Sequence, residues 1–403
     1  MRKLTFSCVM ILLLQKSQKS LQLVLNEFSD KLNTNEPATA GAFTQARANL
    51  RYTALIELNQ KGVVDVMYRD DDIKLYKGMR VLAIDGSKIL LPQHDSVIKE
   101  FGEISYSNDH PDVQGAHAYG LASSMYDVLN RVAVDSVLGK AHDYEVELAV
   151  FHHLPHTRDN DLLIFDRGYA NYLLIALLVL CGRKFVIRCS ASSFAQAQKM
   201  LKGEGADDQI VTLKPHHTKL KEVRFHDLPK AVKVRFVRVR LETGEYEVLV
   251  TNLLDTETFP TEEFKAIYHM RWGVEGFYKI LKSRLTLENF TGKTADAVYQ
   301  DFYAAIYLSG LETILTGDVN ASLAEKDTQY PQQVNHAVAF NAIKNKAFEL
   351  LASNLDSQTL IERLEFLFTR APTVCRQERK VQRKKRSAHQ RLNHVKRKQK
   401  ACF

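Results

Sequence analysis

LLIFDRGYANYLLIALLVLCGRKFVIRC, residues 162–189, decides the fold class. Its first four residues are an apolar run that stops at Asp166, as a buried strand does. Tyr169 to Cys181 has the length and apolar content of a helix, and FVIRC (185–189) reads as a second strand. On the N-terminal side VLAID (81–85) is another short apolar run, and KILLP (88–92) follows a Gly-Ser turn. Two longer strands, His117 to Tyr126 and Asn130 to Leu138, join near Asp127, and a helix from about Asp143 to Leu154 leads back to LLIFD. Strands in hairpin order, then alternating with helices, predict an α/β fold with a mixed sheet flanked by helices.

Residues 191–258 read as a β-rich insertion. A short helix (Ser192 to Leu201) and a Gly/Asp loop precede VKVRFVRVRLETGEYEVLVTNLL, a hairpin around Thr243-Gly244. In its first strand the apolar phase runs Val232, Val234, Phe236 and then Val237, Val239, Leu241, as a β-bulge would produce. That slip places Lys233, Arg235, Arg238 and Arg240 on one surface, which suits phosphate tracking and plain solvation equally. Pro260 and Thr261 then open a long helix to about Leu285, and helices continue to about Leu367. The first 70 or so residues are helical too: Leu21, Val24, Leu25 and Phe28 recur at helical spacing, and a second helix runs from Ala42 to about Leu58. Its Arg47, Arg51 and Tyr52 suit DNA contact, although a bundle with charged outer faces looks the same.

Charge is spread unevenly. The 403 residues carry net +8, from 55 Lys+Arg and 47 Asp+Glu, but residues 376–400 alone hold 12 Lys/Arg and one acid, Glu378. A body near −3 therefore carries a tail near +11, which favours a polyanion. With 45% apolar and 25% charged residues, a disordered, collagenous or multi-span membrane chain is excluded. Five cysteines (Cys8, Cys181, Cys189, Cys375, Cys402) without a C-x-x-C pair argue against a disulfide framework or zinc site and fit a reducing, cytoplasmic compartment. The start, MRKLTFSCVMILLLQKSQKS, imitates a secretory signal, but Gln15, Lys16 and Gln18 stand where small cleavage-site residues belong. The apolar run is also too short to span a bilayer, so an amphipathic or buried first helix is expected. His152-His153 and His216-His217 lack partners at metal-ligand spacing and read as ordinary surface histidines. There is no Walker loop and no Gly-x-Ser-x-Gly elbow.

The residues that carry chemistry are carboxylates. At about 100° per residue, Tyr268, Arg271, Glu275, Lys279 and Lys282 share one stripe of the 261–285 helix. One acid among three cations is either an i,i+4 salt-bridged face or a metal ligand set in a phosphate-binding surface. Asp85 and Asp166 each close an apolar strand, which is costly unless the charge is paired or binds a metal, and Gly86 and Gly168 follow them closely.

DGSKILLP (85–92), DRGY (166–169) and Y-x2-R-x3-E-x6-K (Tyr268, Arg271, Glu275, Lys282) resemble the insertion-sequence-four class of bacterial DDE transposases. Trp272, ENFTGKT (288–294) and FTQARANL (43–50) extend the likeness, over roughly residues 1–385. The resemblance implies an RNase H-like core with the β-rich insertion at 191–258. It divides the chain into a helical DNA-binding region (1–72), a catalytic domain (73–375) whose C-terminal part is helical, and a basic tail (376–403). It further implies that Asp85, Asp166 and Glu275 hold two Mg²⁺ ions, with Mn²⁺ as substitute, and drive strand cleavage and strand transfer at terminal inverted repeats. Tyr268, Arg271 and Lys282 would grip DNA, with Trp272, Lys279 and Arg167 beside them, in a homodimeric synaptic complex in the bacterial cytoplasm and nucleoid, with no membrane partner. A family example stacks a flipped base on a tryptophan of the insertion. Here the single Trp is Trp272, and the insertion offers Phe225, Phe236 and Tyr246. A catalytically inactive, domesticated DNA-binding relative is the alternative reading.

Overall fold

The structure is a computed structural model that describes residues 4–375 apart from 18, 33, 35, 70–72, 108–113 and 353–355. The basic tail lies outside the described residues. Two compact units emerge: the described residues of 1–70, 88–120 and 279–403 form one, and those of 71–87 and 121–278 the other.

Nine strands form the large sheet: β1 Arg80–Leu90, β2 Glu103–Ser107, β3 Gln114–Asp127, β4 Val132–Lys140, β5 Asp161–Phe165, β6 Lys184–Cys189, β7 Asp208–Leu213, β8 Val232–Arg240 and β9 Tyr246–Thr251. In the second unit the sheet order is β4-β3-β1-β5-β6-β9-β8-β7, with β1, β5 and β6 parallel and β6 to β7 antiparallel. The first five strands of that order make the mixed sheet of an RNase H-like core. One face buries Val81, Leu162, Ile164, Val186, Val237 and Leu249 against Phe264 and Ile267 of the helix Glu263–His269. Each such side chain contributes about 1.5–3 kcal/mol relative to exposure. The parallel register is fixed by charge as well: Arg80 is paired opposite Asp161 and donates to both its carboxylate oxygens at 2.6 Å, both side chains almost fully buried.

Several expectations are corrected. β1 runs unbroken through Gly86-Ser87, so no turn separates VLAID from KILLP. The insertion is no separate module: β9, β8 and β7 extend the central sheet beyond β6. β8 pairs with both neighbours in continuous register, so the apolar slip at Phe236-Val237 is not a bulge but the mark of a strand buried on both faces. Its cations do not share one surface. Arg235 is fully buried against Asp208, and Arg238 pairs with Asp207. Gly244, at φ +86°, turns the β8–β9 hairpin as expected. His153 is no surface histidine: it is buried, within 2.6 Å of Asp135 and 2.9 Å of Ser123 Oγ.

The first unit is helical around Ala295–Ala324, capped by the Thr294 hydroxyl and packed against Phe6–Leu14, Thr53–Asn59 and Ser357–Arg370. Val9 to Leu14 are buried, as the buried-helix expectation requires, and no described helix is long and apolar enough to cross a membrane. The 42–58 helix is two pieces, Ala40–Ala48 and Thr53–Asn59. Arg47 is structural: it is buried and donates to Asp301 at 2.9 Å, Gln300 at 2.7 Å and Thr291 at 2.6 Å. Tyr52 stacks on Tyr299 and Tyr303.

Candidate active site

The ladder between β1 and β5 ends with Ile84 opposite Phe165, so Asp85 and Asp166 follow at matching positions on neighbouring parallel strands. Two runs distant in sequence thus deliver their terminal carboxylates side by side. Asp85 is only 17% exposed, and burial pushes its carboxyl up to about 6, with Glu145 and Asp166 adding to the rise while the Gly86 amide and Arg271 oppose it.

The third carboxylate comes from a helix that departs from expectation. The predicted 261–285 helix is two, Glu263–His269 and Trp272–Ser283, joined by a tightened turn in which the amides of Arg271, Gly273 and Val274 each bond the carbonyl three residues back. Gly273 is needed there, since a Cβ would stand 2.9 Å from Val128 Cγ1. Arg271, almost fully buried, donates to Glu275 Oε1 at 2.7 Å and to Asp85 Oδ2 at 3.3 Å. Its guanidinium also lies 4.7 Å from the Trp272 ring centre, and its buried Nε has no hydrogen-bond partner. Tyr268 Oη donates to Asp166 Oδ1 at 3.3 Å. Each predicted carboxylate thereby meets a predicted cation or hydroxyl.

The donors are all hard oxygens, the chemistry that Mg²⁺ and Mn²⁺ select, and Asp85 in its desolvated setting needs positive charge nearby. That charge is now supplied by Arg271. Among the described residues no three His, Cys, Asp or Glu side chains stand close enough together to hold an ion in this arrangement.

The family model described as "Transposase DDE domain" matches residues 76–309. The chain belongs to that family. Within it, the chain is similar to the transposase InsG for insertion sequence element IS4 of Escherichia coli (strain K12), with 25% identity over 311 residues, 74% of this chain. It spans 66% of that relative's length. A cryo-electron microscopy structure of a piggyBac transposase synaptic complex with hairpin DNA is similar at TM-score 0.43 and 11% identity, over 90% of this chain and 75% of that one.

In this DDE-domain chain the remaining predicted residues divide. Arg167 is exposed directly after Asp166, and Trp272 is 43% exposed. Lys279 and Lys282 continue the Trp272–Ser283 helix but belong to the other compact unit, where Lys282 Nζ donates to the Lys88 carbonyl at 2.7 Å and burial lowers its pKa. Sequence reasoning missed three groups. Tyr278 donates to the Asp85 carbonyl at 3.0 Å, anchoring the β1 backbone. Glu145 opens the short helix Glu145–Leu148, and Tyr169 is fully buried after the DRG turn. Only Tyr169 carries a sequence signal, as the last residue of the DRGY motif.

Proposed function

We propose that this chain is a DNA transposase that cuts and joins DNA at terminal inverted repeats by metal-dependent phosphoryl transfer. The observation that carries the reading is the adjacent placement of Asp85, within β1, and Asp166, directly after β5. Family membership supports it, as do the Tyr268, Arg271 and Glu275 contacts. Asp85, Asp166 and Glu275 would hold the divalent cations. Such ions, when bound, activate the attacking oxygen and stabilise the leaving one in an in-line displacement.

The chain's own residues divide the remaining work. Tyr268 orients Asp166 through its hydroxyl. Arg271 neutralises Asp85 and Glu275 before DNA arrives and is freed toward a phosphate when cations take over that charge. Trp272 offers an exposed aromatic face beside it, fit for stacking on an unpaired base. The N-terminal helices and the tail at 376–403 add backbone grip, and two ends held together call for a homodimer on DNA. The compartment would be the bacterial cytoplasm.

The test is cleavage of DNA carrying the element's own ends by the full chain in Mg²⁺, with Asp85→Ala as control. Nicking by wild type alone is expected, and a pre-cleaved 3′-hydroxyl end should yield strand-transfer product. Equal inertness of wild type and Asp85→Ala would overturn the enzyme reading and favour a DNA-binding relative. Nicking without joining would reduce it to a nuclease.

A further inference from the structure

We infer that Tyr278 is a positioning residue of the active site: its hydroxyl fixes the Asp85–Gly86 peptide, and through it the Asp85 carboxylate, relative to the helix that carries Glu275. The inference deepens the proposed function and rests on it.

Three observations converge. Tyr278 is buried, and its Oη donates to the Asp85 carbonyl at 3.0 Å and to the Ala122 carbonyl at 3.1 Å. One hydroxyl proton is thus shared between β1 and β3, which are neighbours in the sheet. Second, the peptide that Tyr278 grips also holds the acid. The Asp85 carbonyl and the Gly86 amide belong to one planar unit, and that amide donates to Asp85 Oδ1 at 2.9 Å. A constraint at the carbonyl end is therefore carried to the carboxylate at the other. Third, Tyr278 stands three residues beyond Glu275 on the helix Trp272–Ser283, so the two side chains point within about 60° of each other. The ring of Phe277, next to it, stacks on Tyr126 of β3 with centres 4.7 Å apart and seats this part of the helix. All of these residues belong to one compact unit.

Arg271 joins Asp85 and Glu275 as well, but through their side chains. That link is the one the proposed function dissolves when DNA arrives, whereas Tyr278 acts on the backbone and stays. With the backbone spacing held, the two acids have only side-chain torsions to adjust, which keeps the ordering cost of the site low. A buried hydroxyl on a carbonyl is also ordinary core satisfaction, and Tyr172 shows that case: its Oη donates to the Pro229 carbonyl at 2.8 Å, and burial alone acts on it.

The test is Mn²⁺ binding to the full chain without DNA, followed by loss of the free-ion electron paramagnetic resonance signal, with thermal unfolding in chelator as a folding control. Asp85→Ala reports on the proposed function itself. Tyr278→Phe should weaken Mn²⁺ binding roughly 10-fold, at the low end of the effect of losing a group that orients a ligand. Its binding of DNA ends in chelator should match wild type. Tyr172→Phe loses the same kind of bond and should keep wild-type Mn²⁺ affinity. Tyr278→Met, which fills the space flexibly without a hydroxyl, serves if Tyr278→Phe does not fold. Wild-type Mn²⁺ affinity in the folded Tyr278 variant, with Asp85→Ala defective, overturns the inference and leaves the transposase reading standing. Equal weakening in Tyr172→Phe assigns the effect to a loosened core and overturns it too. Failure of Asp85→Ala to differ from wild type overturns both the inference and the reading beneath it.

Discussion

Arg271 donates to Glu275 at 2.7 Å across one helical turn while its other terminal nitrogen reaches Asp85 at 3.3 Å. A single buried guanidinium thus balances two of the three acids expected to hold cations. Removing it leaves those acids without their countercharge, and breaking a buried pair in this way costs ~3–5 kcal/mol. Arg271→Ala should therefore lower the melting temperature in chelator. Added Mg²⁺ should recover more of that loss in the variant than it adds to wild type. Equal Mg²⁺ shifts in both proteins would show that the two cations do not compete for the same charge.

Asp85 makes the stability depend on pH. Its folded carboxyl sits at about 6, above the ordinary carboxylate value, so the folded state holds the proton more tightly than the unfolded chain. The ionised form opposes folding fully above about pH 6, and the penalty fades as pH falls toward 4. Asp85→Asn should accordingly stabilise the metal-free protein by on the order of 2 kcal/mol at pH 8 and by almost nothing at pH 4. Denaturant unfolding at the two pH values checks this, and a pH-independent gain would contradict it.

Arg235 and Lys233 look alike in sequence and should behave oppositely. Arg235 is buried and bonds Asp208 and the carbonyls of Leu253 and Phe259, whereas Lys233 is exposed. Arg235→Ala should cost ~3–5 kcal/mol of stability. Lys233→Ala should leave unfolding within about 0.5 kcal/mol of wild type. Comparable losses in both would return the β8 cations to a common surface role.

The tail at 376–403 should act as a non-specific grip. Its deletion should weaken DNA binding and flatten the salt dependence, by roughly 0.9 in log–log slope for each phosphate that the tail neutralises. Cleavage at saturating DNA should survive. Titration at several salt concentrations measures the first effect and single-turnover cleavage the second.

Local signals are legible in the sequence and pairwise ones are not. The apolar runs that lead into Asp85 and Asp166 are visible because an apolar run broken by a charge is a feature of neighbouring residues, although β1 itself continues past Asp85 to Leu90. The i,i+4 relation of Arg271 to Glu275 survives the helix break at Met270-Arg271 because the turn there keeps a helical path, with amides bonded to the carbonyls three residues back. The place of Glu145 is invisible, since nothing in DYEVELAV distinguishes it, and only the fold brings its carboxylate onto Gly86, 59 residues earlier. The β8 cations mislead because alternation assumes one wet face, while β8 lies between β7 and β9.

The Arg80–Asp161 pair acquires a further meaning from its spacing. Arg80 precedes Asp85 by five residues, and Asp161 precedes Asp166 by the same five. A slip of one residue between β1 and β5 would turn one aspartate to the opposite side of the sheet and also strand two buried charges. The ion pair is thus a vernier: it reads the alignment of two strands at one end and rejects every setting that misplaces the carboxylates at the other. An apolar pair of equal volume at these two positions would preserve the core while erasing the gauge, giving a protein that folds well yet loses the single alignment its chemistry requires.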